Sequence, residues 1–212
     1  MAWRSCTASW WTGIVVIFDA RLKVARSELI LGGQRSGKSR RAEALAQSWL
    51  KTSKTHHAIL LATAQAGDDE MRQRIERHKE DRAQRLGRMA TVEEPLALAE
   101  SISTYSRAET LLVVDCLTLW LTNQLMPVGP AAAAGEVPKL CERIGALIEV
   151  LQSAPGPVVL VSNEIGLGVV PMGPEVRDFV DALGHLNQDV ARACQRVTLM
   201  AAGLPLRLKG QP

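Results

Sequence analysis

A chain of 212 residues that is 47% hydrophobic and 22% charged can bury a full core, and with no repeat or low-complexity tract it reads as one globular unit. Its net charge of +3 comes from bases scattered among acids, and aromatics at 4% leave little to stack nucleobases on, which argues against a nucleic-acid-binding protein. Cys6, Cys116, Cys141 and Cys194 stand far apart with no C-x-x-C pair, which suits reduced thiols in the cytoplasm better than a disulfide framework or a zinc site.

Residues 1–27 contain Trp10-Trp11-Thr12-Gly13-Ile14-Val15-Val16-Ile17-Phe18, an apolar run too short to cross a bilayer as a helix. They read as an N-terminal extension, dispensable for folding and activity, ahead of a single domain at 28–212. That domain opens on Leu29-Ile30-Leu31, a short strand that feeds Gly32-Gly33-Gln34-Arg35-Ser36-Gly37-Lys38-Ser39. The spacing Gly-x4-Gly-Lys-Ser is that of a phosphate-binding loop, and each residue type has a reason to be there. Glycine admits positive φ and close approach, so successive N–H groups form an anion cradle at the positive end of the following helix. Lys38 suits the β and γ phosphates, and the Ser39 hydroxyl suits Mg2+. This loop points to a nucleoside triphosphate without naming the reaction.

Beyond it, Ala42, Leu45, Ala46 and Trp49 fall at helical spacing, and Ala58-Ile59-Leu60-Leu61-Ala62-Thr63 reads as a second strand. The β-α-β order favours parallel pairing of these two strands. Residues 67–82 begin with acids and end with bases, as a helix dipole prefers, and Met71, Ile75, His78 and Arg82 share one face. On periodicity alone His78 is most simply a structural histidine on an inward face. A polar stretch leads to a helix over 97–105 and then to Thr110-Leu111-Leu112-Val113-Val114-Asp115. An apolar strand ending in a carboxylate has the Walker B form, which sets the acid beside the phosphate loop, where Asp115 holds Mg2+ with Ser39.

A helix begins at Cys116, and the Pro-, Gly- and Ala-rich residues 126–138 read as a loop. A helix over 139–152 and the strand Pro157-Val158-Val159-Leu160-Val161-Ser162 form another unit. Asn163-Glu164-Ile165-Gly166-Leu167-Gly168-Val169-Val170-Pro171 then supplies a polar pair and a turn, at the strand end where open α/β sheets place ligands. A helix over 175–194, a strand over 196–201 and a last short strand after Gly203 close the chain. The whole predicts an α/β fold with a mostly parallel central sheet flanked by helices.

Several ordered motifs resemble the bifunctional adenosylcobinamide kinase / adenosylcobinamide-phosphate guanylyltransferase family. They are the phosphate loop, Arg74-Ile75-x-x-His78, Thr91-Val92-Glu93-Glu94-Pro95, Asp115-Cys116-Leu117-Thr118-x-Trp120-x-x-Asn123, and Ser162-Asn163-Glu164-x-Gly166-x-Gly168-x-Val170-Pro171, and the likeness runs from about Glu28 to Lys209. The sequence departs in carrying Ala83 where that family commonly has Pro, and in lacking a Trp shortly before Thr91. The resemblance implies a RecA-like P-loop fold, a homo-oligomer, and two reactions. A nucleoside triphosphate, ATP or GTP, phosphorylates the aminopropanol hydroxyl of adenosylcobinamide. GTP then guanylylates a histidine, and GMP passes to adenosylcobinamide phosphate to give adenosylcobinamide-GDP.

By the same resemblance His78 is the guanylylated residue. Nucleotide contacts fall on Gly32, Gly33, Gln34, Arg35, Ser36, Gly37, Lys38 and Ser39, on Ala62, Thr63 and Ala64, on Lys79, Glu80, Asp81 and Arg82, and on Glu93 and Asp115, with Mg2+ as cofactor. Two other readings fit the strand-loop-helix unit: an enzyme that keeps only one of the two activities, and a RecA-like ATPase acting on nucleic acid or a protein partner. The scarcity of basic, aromatic surface counts against the second.

Overall fold

The computed structural model describes residues 22–65, 89–126 and 140–211, and the statements below concern these. The expected helix over 67–82, with His78, and most of the loop over 126–138 lie outside them.

Seven strands form one sheet in the order β3-β2-β4-β5-β1-β6-β7. In chain order the elements are β1 (Ser27–Gly32), α1 (Lys38–Thr52), β2 (His57–Ala62), β3 (Met89–Glu93), α2 (Leu98–Tyr105), β4 (Thr110–Asp115), α3 (Leu117–Leu125), α4 (Leu140–Ser153), β5 (Val158–Val161), α5 (Pro174–Ala193), β6 (Arg196–Ala201) and β7 (Leu204–Lys209). Neighbouring strands from β3 through β6 pair parallel, and only β7 runs antiparallel, against β6. The expected α/β class and parallel sheet are found. Two details differ. β1 and β2 are parallel but not neighbours, since β4 and β5 lie between them. β3, in the polar stretch before Pro95, carries little apolar signal because it is an edge strand with largely exposed residues.

Both faces of the sheet are covered, which is why its central strands are unbroken apolar runs rather than alternating ones. Leu29, Leu31, Leu112, Val114, Val158 and Leu160 join Trp120, Leu147, Leu151, Leu183 and Leu186 from the helices on one face. Ile30, Leu111, Val113, Val159 and Val161 join Ala42, Leu45 and Ala46 of α1 on the other. The period of two in each strand thus splits one hydrophobic run between two cores.

A charged cluster sits inside this frame. Glu28 is fully buried in β1; its Oε1 accepts from Arg41 Nε and Nη2 at 3.2 Å and from Thr198 Oγ1 at 2.8 Å, and its Oε2 accepts from Arg196 Nη1 at 3.2 Å. One carboxylate therefore ties β1, α1 and β6 together. Arg196 Nη1 also donates to the Lys23 carbonyl at 2.7 Å, and Ser48 Oγ donates to the Leu22 carbonyl at 2.8 Å. Leu22 and Val24 pack against the α1-side core and Ala25 is buried, so residues 22–25, inside the stretch the sequence treats as extension, are in contact with the domain. Breaking a buried ion pair from one side leaves uncompensated charge, at a cost of about 3–5 kcal/mol. Glu28→Ala, which strands Arg41 and Arg196, should lower the thermal midpoint by about 10 °C at roughly 2–4 °C per kcal/mol, a shift read directly by calorimetry.

Candidate nucleotide-binding site

The parallel register brings the carboxyl ends of the strands to one edge. Glu93 pairs with Ala62, Ala62 with Asp115, Asp115 with Val161, and Val161 with Ile30, two residues before Gly32. With strands about 4.8 Å apart, Asp115 stands roughly 10 Å from β1 and Glu93 roughly 19 Å. Asp115 thus stands on β4, separated from β1 by β5. Glu93 stands exposed on the edge strand β3, at the far side of this edge from the loop.

The loop itself is shaped by positive φ. Gly32 has φ +152°, Arg35 +56° and Gly37 +102°. A Cβ on Gly32 would lie 2.5 Å from the Met200 carbonyl oxygen and 2.6 Å from Ser36 Oγ, so only glycine fits there. Ser36 N–H donates to the Gly33 carbonyl at 3.3 Å, and the Ser36 carbonyl accepts from Gly203 N–H at 3.0 Å, which pins the loop to the turn between β6 and β7. Gly37 is the N-cap of α1 and provides no side-chain cap, and the first turn holds no acid. The N-terminal amides of α1 are thus left to an external anion.

Lys38 is buried, and its Nζ donates to the Gly33 carbonyl at 2.7 Å, folding back over the loop. Burial lowers its pKa, while Cys116 and the Asp115 carboxylate pull the other way, which puts the ammonium and the acid in one electrostatic environment. The Cys116 thiol is pushed up to about 11 by burial and by Asp115, so it stays protonated at neutral pH and is no nucleophile. Burial likewise raises Cys194 to about 12, and Cys116, Cys141 and Cys194 are all unbridged.

Of the other expected contacts, Thr63 is wholly buried, and its hydroxyl is spent on Cys116, donating to the carbonyl at 2.7 Å and accepting from the N–H at 2.8 Å. Its side chain braces the end of β4 and leaves only the half-buried Ala62 and Ala64 near the edge. Lys79, Glu80, Asp81 and Arg82 lie outside the described residues with His78. Several motif residues serve the scaffold. Asn123 Nδ2 donates to the Thr63 and Pro95 carbonyls at 2.8 and 3.1 Å, and Trp120 Nε1 to the Leu96 carbonyl at 3.0 Å. Glu94 caps α2, accepting from Leu96 and Ala97 N–H at 3.0 and 2.7 Å and from Ser101 Oγ at 3.2 Å. The buried partners of Glu28 escaped the sequence reading, since an acid at the start of a strand looks like a surface residue.

The phosphate loop, Asp115 and the residues after β5 share one edge of the sheet, and comparison with known proteins identifies the family. The model of the family described as "Cobinamide kinase / cobinamide phosphate guanyltransferase" matches residues 28–208. The chain belongs to that family. It is 50% identical over 186 residues to the bifunctional adenosylcobalamin biosynthesis protein CobP of Pseudomonas aeruginosa, an alignment covering 87% of this chain and 98% of that one. It is 35% identical over 187 residues to the bifunctional adenosylcobalamin biosynthesis protein CobU of Escherichia coli, covering 85% and 98%. Among solved structures, the flagellar accessory protein FlaH of Methanocaldococcus jannaschii superposes with a TM-score of 0.50 at 11% identity, over 89% of this chain and 80% of that one, and so shares the fold alone. No described helix of this cobinamide kinase / guanyltransferase family member is long and apolar enough to cross a membrane.

At Gly32 the close approach makes a specific demand. Gly32→Ala should abolish detectable triphosphate binding by calorimetric titration and lower stability, because its new Cβ meets backbone that cannot yield.

Proposed function

We propose that the protein phosphorylates the aminopropanol hydroxyl of adenosylcobinamide with a nucleoside triphosphate. It then carries GMP from GTP, through a guanylyl-histidine, to adenosylcobinamide phosphate. The observation that carries this reading is the folded phosphate loop with buried Lys38 at its centre, in a chain that matches the family along residues 28–208. In the first reaction the uncapped amides of α1 and the Lys38 ammonium bind the β and γ phosphate oxygens and stabilise the charge that grows on them during transfer.

The residues suit Mg2+. The Ser39 hydroxyl and the Asp115 carboxylate are hard oxygen donors, and Mg2+ held with a nucleotide needs only one or two such protein ligands. Bound there, it would neutralise phosphate charge.

In the second reaction a neutral imidazole at His78 attacks the α phosphorus of GTP. The N–P bond forms as the bond to the bridging oxygen breaks, and pyrophosphate leaves. The phosphate of adenosylcobinamide phosphate then displaces the histidine. A triphosphate-dependent enzyme of this kind works in the cytoplasm, where unbridged thiols persist. The exposed leucines of β7, Leu204, Leu206 and Leu208, lie on an open sheet edge and support the homo-oligomer that the family resemblance implies, since a second copy would cover them.

Lys38→Ala should lower both phosphorylation of adenosylcobinamide and GMP transfer by about 10²–10³-fold, the usual loss of one preorganised donor to a transition-state oxyanion. Normal kinase turnover in that variant would place phosphoryl transfer elsewhere. His78→Asn, incubated with α-labelled GTP, should take up no acid-labile, base-stable label while keeping phosphorylation of adenosylcobinamide. Label on the folded variant would move the nucleophile to His56, His57 or His185.

A further inference from the structure

We propose that Glu164 accepts the proton of the attacking alcohol in the kinase reaction, standing between the phosphate loop and the cleft that receives the alcohol-bearing substrate; this rests on the kinase reading above. β5 is the strand between β1 and β4, so the residues that follow it leave the sheet within one strand spacing, about 5 Å, of the phosphate loop strand. Glu164 N–H donates to the Gly32 carbonyl at 3.1 Å, which fixes its backbone against the first residue of the loop. Its half-buried carboxylate accepts from Gly166 N–H at 3.3 Å. Gly166 in turn lines a cleft of about 370 Å³ between the loop after β5 and residues 177–188 of α5, with Val169, Val180, Arg177 and His185 among its walls. Glu164 is thus tied by its backbone to the phosphate cradle and by its side chain to the rim of the cleft.

The chain is shaped there for an organic substrate. A volume near 370 Å³ is at the low end for ligand pockets, room for the aminopropanol arm rather than a whole corrin ring. At its mouth Val169 and Val170, with Leu167 and Met172 nearby in the same loop, are more than two-thirds exposed and offer an apolar shelf on which the ring could lie. The other described carboxylates at this edge are less suited to the task. Asp115 shares its surroundings with Lys38 and is a strand further off; both oxygens of Glu94 are taken by the cap of α2; Glu93 is four strands from β1; and Asp181, on α5, has no tie to the loop.

The step balances. The hydroxyl oxygen bonds to the γ phosphorus, the bond from that phosphorus to the β–γ bridging oxygen breaks, and its electron pair leaves with the nucleoside diphosphate. The hydroxyl proton passes to the Glu164 carboxylate and from there to water. Attack by a neutral imidazole on GTP releases no alcohol proton, so GMP labelling makes no use of this group.

The experiment compares Glu164→Gln, whose amide oxygen can still accept from Gly166, with the wild-type full chain in both half-reactions. The expected result is a 10²–10⁴-fold fall in kcat for phosphorylation of adenosylcobinamide, the range of general-base catalysis. KM for the triphosphate and the rate of labelling by α-labelled GTP should stay within about twofold. Glu164→Asp, which keeps a carboxylate on a shorter arm, should retain more kinase activity than the amide. Glu164→Gln turnover within about fivefold of wild type would overturn the proposal. So would joint loss of labelling, triphosphate affinity and phosphorylation, which would make Glu164 a support of the loop. Wild-type protein that labels with GMP but does not phosphorylate adenosylcobinamide would overturn the kinase reading itself, a failure distinct from that of Glu164.

Discussion

The site depends on how the backbone of the phosphate loop is held open. A loop that offers its own amides to a phosphate cannot also use them to stabilise itself, so its carbonyls and its glycines must be gripped by neighbours. Here the grip comes from both adjacent strands. The Gly32 carbonyl takes Glu164 N–H from the end of β5, the Ser36 carbonyl takes Gly203 N–H from the β6–β7 turn, and the Met200 carbonyl closes on Gly32 where no Cβ can stand. The antiparallel β7 makes sense in this light: its turn carries Gly203 to the loop, although its own six residues are all exposed.

Placing β5 between β1 and β4 spreads the acids along the edge rather than stacking them at one point. Glu164 lies next to the loop, Asp115 one strand on, and Glu93 at the far margin. Such spacing keeps these carboxylates apart along one edge of the sheet. The polar motif residues behind this edge hold the strand ends in position. Thr63 brackets Cys116, Asn123 bridges the ends of β2 and β3, and Thr118 Oγ1 accepts from Asn163 N–H at 2.9 Å, tying the start of α3 to the end of β5.

Beneath the loop the Glu28 cluster fixes the angle between β1 and α1, the two elements the loop joins. Burying a carboxylate is costly unless its charge is met and its lone pairs are filled, and here two guanidinium groups and a hydroxyl do both. Because Arg196 reaches on to the Lys23 carbonyl, the segment before β1 is held by the same cluster.

Much of this was legible in the amino-acid order, because it is local. The glycine spacing from Gly32 to Ser39, the apolar runs of β1, β2, β4 and β5, and the carboxylate at Asp115 are patterns within a few residues, set by φ, by period and by helix-dipole chemistry. The tertiary structure alone decided what depends on separation across the sheet. Strand order is fixed by which apolar faces pack together, so no local pattern shows that β5 parts Asp115 from the loop, that β1 and β2 are not neighbours, or that exposed β3 completes the edge. Nor does any local pattern show that Glu28 meets Arg41 and Arg196 from 13 and 168 residues away, or that Thr63 spends its hydroxyl on Cys116. Residue type tells what a side chain can bind, while burial and distance, which arise only when remote segments close on one another, tell what it does bind.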